Sequence, residues 1–383
     1  MAASEKVELR KGLKDVYFDR TTASLIVSKP GKLLYRGYNI NDLARYSTFE
    51  ETAYLLLHGS LPTVSQLDQF DAELRNSREL PDQVMATLRI YGNAHPMDAL
   101  RGGVSAMGLA DPSADDMSED AVLKKGVRAT AAVATLVAAH YRIRKGHEPM
   151  RPNPDLGHAA NFLYMLHGEA PDPEDARLID KDLVLHAEHG SNASTFAARV
   201  AASTRADFYS ALTAAVSVLK GPKHGGAAEG AMQMVQAVGS IENAASYVAN
   251  LLATGKRVMG FGHAVYKDVD PRSVHLKADA KALGVRKGQT KWYSIIEAIA
   301  ETKEMKRRAR LGTNPNVDLW SGAVYSLLGI PDDLFVPLFA VGRMPGWTLH
   351  IMEQYSKKDI LRPRLHYTGP IDLEYVSLEK RGQ

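Results

Sequence analysis

The sequence predicts an all-α fold with one small β element, and three observations carry that prediction. Helix start signals recur along the chain. Thr63 with Gln66, Ser118, Asp172-Pro173 and Asp270-Pro271 each join a capping side chain to a favourable first turn. Apolar residues return at helical spacing, as in Phe208, Leu212, Ala215 and Leu219. Strand-like text is confined to residues 14–38, where 24–27 and 32–35 flank a Pro30-Gly31 turn and read as a hairpin.

Taken in order, the helices follow from their caps and stops. Residues 49–58 form one, broken by Leu61-Pro62, and the Thr63/Gln66 capping box opens another to about Arg78. Segments 81–91 and 96–109 are further short helices before a polar loop at 111–116. Ser118 caps a long Ala/Val-rich helix to about Lys145, apolar around nearly its whole circumference and therefore expected in the core. Residues 156–166 read as a helix capped by Asp155. Asp172-Pro173-Glu174-Asp175 starts the next, placing acids at the positive end of the dipole. Helices at 192–200 and 207–219 follow, the latter stopped by Gly221-Pro222. Beyond it the periodicity predicts helices at 229–238, 241–254, 271–283, 291–305, 319–328, 332–341 and 346–355, then a polar tail from Lys357.

Composition excludes several function classes. The 383 residues carry a formal net charge of +3 with both signs dispersed, too little for a nucleic-acid footprint. Cysteine is absent, which removes disulfides, thiolate metal sites and a cysteine nucleophile, and fits a reducing cytoplasm. Residues 1–14 hold no signal-peptide core, and the longest apolar run, 129–139, is too short to cross a membrane. A soluble globular protein is expected.

The chemistry concentrates in Gly260-Phe261-Gly262-His263-Ala264-Val265-Tyr266-Lys267-Asp268-Val269-Asp270-Pro271-Arg272. A Gly-x-Gly permits close backbone approach to a ligand, and Lys267 and Arg272 suit an anion. A dinucleotide fingerprint would need a third glycine where Val265 stands, and a preceding strand, so that reading is rejected. His224 lies between a helix-ending Gly-Pro and the next helix N-terminus, which favours a neutral imidazole able to donate to a carbonyl oxygen. The competing reading is a histidine that satisfies backbone groups at a junction. His186-Ala187-Glu188-His189 lacks the spacing of a zinc-protease motif. His186 continues an apolar stripe, while His189 at the helix end faces outward to a ligand.

Asp318, between Val317 and Leu319-Trp320, is either a desolvated general base or a plain cap for helix 319–328. Arg343, Arg362 and Arg364 are candidates for bidentate carboxylate binding, set against the commoner reading of a solvated basic tail near a C-terminus. The set offers neutral histidines, a poised carboxylate and arginines without a metal ligand set, P-loop or nucleophile elbow. It suits proton abstraction beside a carbonyl in an acidic substrate.

At this point the sequence resembles the citrate synthase family over almost its whole length. The resemblance is carried by Leu34-Tyr35-Arg36-Gly37-Tyr38, the 186–196 segment, Gly221-Pro222-Lys223-His224-Gly225-Gly226, the 260–272 stretch, the 315–322 segment and the 342–363 segment, in family order. It implies a citrate synthase-like homodimer. Each subunit would have a large helical domain (1–223 and 330–383) and a smaller helical domain (224–329) that closes over substrate. The implied reaction condenses acetyl-CoA with oxaloacetate and hydrolyses citryl-CoA, with CoA as substrate and product and no permanently bound cofactor or metal. Carried over by motif, Asp318 removes a methyl proton, His224 stabilises the enol, and His263 polarises and protonates the ketone oxygen. His189, Arg272 and Arg343 would hold oxaloacetate, with Arg362 reaching in from the other subunit. Val258, Met259, Gly260, Phe261, Gly262 and Lys267 would meet CoA.

Three positions depart from the family pattern: Ala228, where asparagine is usual, Ala264, where bacterial members often have arginine, and Ser191, where a bulkier residue is common. A 2-methylcitrate synthase using propionyl-CoA is the near alternative, with His186 favouring citrate synthase over the tyrosine often found there. A catalytically silent helical dimer that binds CoA or a carboxylate is the alternative of another class, and intact His224, His263 and Asp318 argue against it. The chain starts close to the hairpin, so an extra N-terminal nucleotide-binding domain is not expected. A cytoplasmic enzyme without nucleic-acid or membrane partners is.

Overall fold

The strand-like text forms three strands, one more than the hairpin reading. The computed structural model describes residues 8–13 and 15–381, so parts of the 1–14 stretch and both outer ends of the expected large domain lie outside the described residues. Strand β1 (Ser24–Val27) pairs antiparallel with β2 (Lys32–Tyr35), Ser24 opposite Tyr35, and β2 pairs with β3 (Tyr38–Asn39). The third strand escaped the sequence reading because two residues show no alternation. Tyr35 is buried and ties the sheet to the rest of the protein. Its hydroxyl donates to the Leu185 carbonyl at 3.1 Å and accepts from the Glu188 N–H at 3.2 Å.

Seventeen α-helices follow among the described residues. They are α1 (Ile40–Tyr46), α2 (Phe49–His58), α3 (Val64–Asn76), α4 (Asp82–Tyr91), α5 (Pro96–Ala110), α6 (Glu119–Arg144), α7 (His158–His167), α8 (Pro173–His186) and α9 (Ala193–Ser203). The series continues with α10 (Phe208–Leu219), α11 (Ala227–Val238), α12 (Ala244–Ala253), α13 (Pro271–Arg286), α14 (Lys291–Glu301), α15 (Lys303–Arg310), α16 (Val317–Leu327) and α17 (Phe335–Tyr355). Thr63 and Gln66 close the capping box reciprocally, Ser118, Asp172 and Asp270 cap as expected, and Asn192 and Asp207, read as first helical residues, are the caps of α9 and α10.

The departures have local causes. Helix α1 was missed because Asn39 ends β3 and caps α1 at once. Asp155 does not cap α7. Gly157 does, and the free His158 N–H is satisfied from a distance by Glu50 Oε1 at 2.7 Å. Thr302 splits the expected 291–305 helix, ending α14 and capping α15 through a Met305 N–H bond to its hydroxyl. The expected pair 332–341 and 346–355 is a short 3-10 turn and then one unbroken helix, α17, with Pro345 inside it. All of α17 except Phe339, Met352 and Glu353 is buried, and that packing outweighs a local penalty of about 3 kcal/mol for an internal proline. Helix α6 is the expected core helix, buried at every residue from Ala129 to His140.

Helix α17 runs beside α6 and against α8 and α9, and helices α11 to α16 pack mainly on one another beside this group. A single hydrophobic core threads both groups. Where α17 meets the end of α8, Gly346 has no room for a side chain. A Cβ there would stand 2.3 Å from the Ala187 carbonyl oxygen and 2.6 Å from Glu188 Oε2. Alanine normally stabilises a helix interior relative to glycine. Here the sign reverses: Gly346→Ala is expected to cost about 1–3 kcal/mol in urea unfolding through overpacking. An unchanged or raised midpoint would contradict the tight α8–α17 seam.

After α17 the chain runs without regular structure to a 3-10 turn at Leu378–Lys380. This tail is not simply polar. Leu365, Tyr367, Ile371, Leu373 and Tyr375 are all exposed on it. No helix among the described residues is long and apolar enough to cross a membrane.

Candidate active site

Two segments far apart in sequence are stitched together to make one wall of a cleft of about 930 Å³. The Gly262 N–H donates to the Asn314 carbonyl at 2.8 Å, the Asn316 N–H to the Gly260 carbonyl at 3.0 Å, and Phe261 bridges Pro315 in antiparallel fashion. Asn316 adds a side-chain bond from Nδ2 to the Gly262 carbonyl at 2.9 Å. Glycine is required for this approach. Gly260 and Gly262 hold φ of 76° and 84°, and a Cβ at Gly260 would press within 2.8 Å of Leu319. The pairing brings His263 and the first turn of α16, which carries Asp318, to the same cleft.

Asp318 is not the cap of that helix. Asn316 caps it, accepting the Asp318 N–H at 3.1 Å, which frees the Asp318 carboxylate to face the cleft from the first turn. Among the described residues its side chain accepts no hydrogen bond. Burial pushes its pKa up to about 6, against the pull of His186 and Arg272. It is thus a more basic carboxylate than usual, still ionised at neutral pH.

Three histidines line the same cleft, each neutral. Burial, then the charge of Arg343, lowers His224 to about 4. The sequence-based expectation of a neutral His224 therefore stands, with desolvation as the leading cause in place of a helix end. Its Nε2 lies 2.8 Å from Ser194 Oγ and 3.3 Å from the Ser194 backbone N–H. His263 is also lowered to about 4, by burial and then Arg272. Its Nδ1 accepts the N–H groups of Val265 and Tyr266 at 3.0 and 3.1 Å, so its proton resides on Nε2. His189 is lowered well below the ordinary range by burial, then by Arg272 and His263, and its Nε2 lies 3.2 Å from the Tyr266 hydroxyl. His186 is different. It is buried away from the cleft, with Nδ1 on the Asp182 carbonyl at 2.9 Å and its ring edge-on to Phe339 at 4.7 Å.

The cations divide by partner. Arg272 is buried and paired with Asp270 through Nε at 3.0 Å and Nη2 at 2.8 Å. Burial pulls against its charge, but Asp270 holds it more firmly protonated than usual. Arg343 is also buried. Its Nε donates to the His186 carbonyl at 2.5 Å and its guanidinium lies 4.7 Å from the Phe339 ring centre. Among the described residues its Nη2 has no partner, a buried donor waiting for an acceptor. Burial lowers Arg343 to about 10, which leaves it charged at neutral pH.

Val258, Met259, Gly260, Phe261 and Gly262 all line the cleft. Lys267 does not. It is exposed, with its backbone N–H on the Ser28 carbonyl at 3.2 Å. Arg362 is also outside the cleft, exposed on the C-terminal tail. The sequence reading missed four basic residues that do line it: Lys223, Lys256, Arg257 and Arg308. Lys223 and the Lys256-Arg257 pair flank motifs already singled out, so their adjacency was the available signal. Arg308 sat in a basic cluster with nothing to mark which member turns inward. Among the described residues no three His, Asp or Glu side chains converge as a metal site, and Glu188 turns instead to His350 Nε2 at 3.0 Å.

This cleft joins a basic carboxylate, neutral imidazoles and an unpaired buried guanidinium, and comparison with known proteins gives it a family. The family described as "Citrate synthase, C-terminal domain" matches residues 12–364. The chain belongs to the citrate synthase family. Citrate synthase 2 of Bacillus subtilis strain 168 is 44% identical over 373 residues, covering 97% of this chain and 99% of that protein. The 2-methylcitrate synthase 2 of Corynebacterium glutamicum is 38% identical, with both chains covered in full. Among solved structures, citrate synthase from Thermoplasma acidophilum in ternary complex with carboxymethyl coenzyme A and oxaloacetate superposes with a TM-score of 0.93. That structure is 31% identical, with 98% of this chain and 100% of that one covered. The all-α citrate synthase-like fold expected from the sequence is thereby established.

Proposed function

We propose that this citrate synthase family member condenses acetyl-CoA with oxaloacetate and hydrolyses the resulting thioester, giving citrate and CoA. The observation that carries the reading is the convergence on one cleft of Asp318, with its carboxylate free of protein hydrogen bonds, and the neutral His224 and His263. In this reading Asp318 takes a proton from the thioester methyl group while His224 stabilises the enol oxygen. The enol carbon then attacks the oxaloacetate ketone, whose oxygen takes a proton from Nε2 of His263. Water finally cleaves citryl-CoA. His189, Arg272 and Arg343 hold the dicarboxylate, and the unpartnered Arg343 Nη2 supports that assignment. The 258–262 backbone receives CoA. Lys223, Lys256, Arg257 and Arg308 are better placed than Lys267 to meet its phosphates.

The proposal includes a homodimer, a small domain at 224–329 that closes on a large domain at 1–223 and 330–383, and a cytoplasmic location. The exposed apolar side chains of the C-terminal tail favour a partner surface, and Arg362 on the same tail is available to reach a neighbouring cleft. Light scattering should give twice the 41.9 kDa chain mass. A monomer would remove the shared-arginine part of the reading.

The 2-methylcitrate alternative rests on relatives of that activity at similar identity. His186 does not line the cleft and meets it through Phe339 and Arg343, so its effect on acyl choice would be indirect. Release of free CoA from oxaloacetate with acetyl-CoA or propionyl-CoA separates the readings. Acetyl-CoA is expected to be preferred, by no more than the about 10–200-fold that one methylene supports. Faster release with propionyl-CoA would favour 2-methylcitrate formation, and none with either would favour a silent binding protein.

A further inference from the structure

We propose that Tyr266 is a positioning residue that fixes the tautomer of His189, so that Nδ1–H of His189 is the donor presented to substrate. The proposal rests on the reading of His189 as an oxaloacetate ligand. Tyr266 lies in the 260–272 stretch, but no role follows for it from the motif's glycines, histidine or arginine. It is 1% exposed and does not line the cleft. Its ring tilts over His263 with centroids 4.6 Å apart, and meets His189 edge-on at 5.5 Å. The phenol oxygen has one hydrogen-bond partner among the described residues, His189 Nε2 at 3.2 Å.

Proton counting decides the direction of that bond. Burial raises the Tyr266 phenol above its ordinary range and lowers His189, so each group carries one proton. If His189 Nε2–H donated to Tyr266, the phenol proton would be left in a dry interior without an acceptor, a costly arrangement. If Tyr266 donates to Nε2, both groups are satisfied and the imidazole proton must lie on Nδ1. No protein atom among the described residues bonds His189 Nδ1. His263 is set by the same logic with opposite atoms, since its Nδ1 accepts the Val265 and Tyr266 N–H groups. One residue thus sets two histidines that line the cleft: its backbone N–H, with that of Val265, holds the His263 proton on Nε2, and its hydroxyl holds the His189 proton on Nδ1. Both become donors to oxygen without either carrying a charge beside Arg272 and Arg343.

The test combines spectroscopy and kinetics. With ¹⁵N-labelled histidine, two-bond couplings report the tautomer of each of the 13 histidines, and loss of a signal in His189→Gln assigns the one required. The native protein should show His189 protonated at Nδ1, and Tyr266→Phe should shift it toward the Nε2–H form. The KM for oxaloacetate should rise about 5–20-fold in Tyr266→Phe with a smaller change in kcat, as loss of one oriented hydrogen bond predicts. In a His189→Gln background the tyrosine substitution should add no further change. An Nε2–H tautomer in the native protein would overturn the proposal, even if the variant failed to fold. So would an unchanged KM in the variant. Absence of CoA release by the native protein would refute the oxaloacetate reading instead, while the couplings would still decide whether Tyr266 sets His189.

Discussion

Replacing Asp318 by alanine or asparagine should lower turnover by about 10²–10⁴-fold, the usual contribution of a positioned general base. Near-normal turnover would sink its assignment. The same carboxylate sets an acid limb in the pH profile. With a pKa of about 6 in the folded protein, kcat/KM should fall tenfold per pH unit below that point, because the protonated acid cannot take the methyl proton. Stability should move the other way. The folded state raises Asp318 from an ordinary 3.8 to about 6, so it binds the proton more tightly than the unfolded chain does. That favours folding below about pH 4, and the advantage is lost as pH rises through 6. Above pH 6 Asp318→Asn should therefore be more stable than the parent protein by about 1–3 kcal/mol, a range discounted for the side chain's partial contact with the open cleft. Urea unfolding at pH 7.5 and at pH 4 measures the difference, which should vanish at the lower pH. A destabilised asparagine variant at pH 7.5 would mean that the carboxylate is held by favourable contacts and is not poised for catalysis.

Replacing Arg343 by lysine should raise the KM for oxaloacetate by about 10–100-fold, the value of one charge-assisted hydrogen bond. The substitution keeps the charge and still fails. Arg343 anchors itself with Nε on the His186 carbonyl and lies along the Phe339 ring while Nη2 remains unpartnered. A lysine ammonium is a single point and cannot hold the anchor and meet a carboxylate together. Turnover at saturating oxaloacetate should fall less than kcat/KM does. An unchanged KM would show that the free donor faces something other than the substrate.

Much of the fold was legible because local signals were strong and tertiary structure agreed with them. Capping side chains at Thr63, Ser118, Asp172 and Asp270 marked helix starts that the structure retains. The failures occurred where a distant partner overrode a local rule. Glu50 supplies the helix end that Asp155 was expected to supply, and burial carries α17 through Pro345. Asp318 was read as a desolvated base or a plain cap, and the geometry separates these because Asn316 does the capping. Lys267 looked like an anion ligand from its position in the motif. Its loop turns the side chain outward while Lys256, Arg257 and Arg308 turn in.

The sequence by itself determined the helical class, the family and the residue types that carry the chemistry. The first depends on capping and periodicity, which act over a few residues, and the others on short motifs whose order along the chain needs no folded structure to be read. Tertiary structure alone decided which groups are charged and which way their protons point. The neutrality of His189, His224 and His263 comes chiefly from burial, and the basicity of Asp318 comes from the same source. Desolvation depends on what surrounds a side chain in space, and here the walls come from segments more than a hundred residues apart, as His189 and Asp318 on one cleft illustrate.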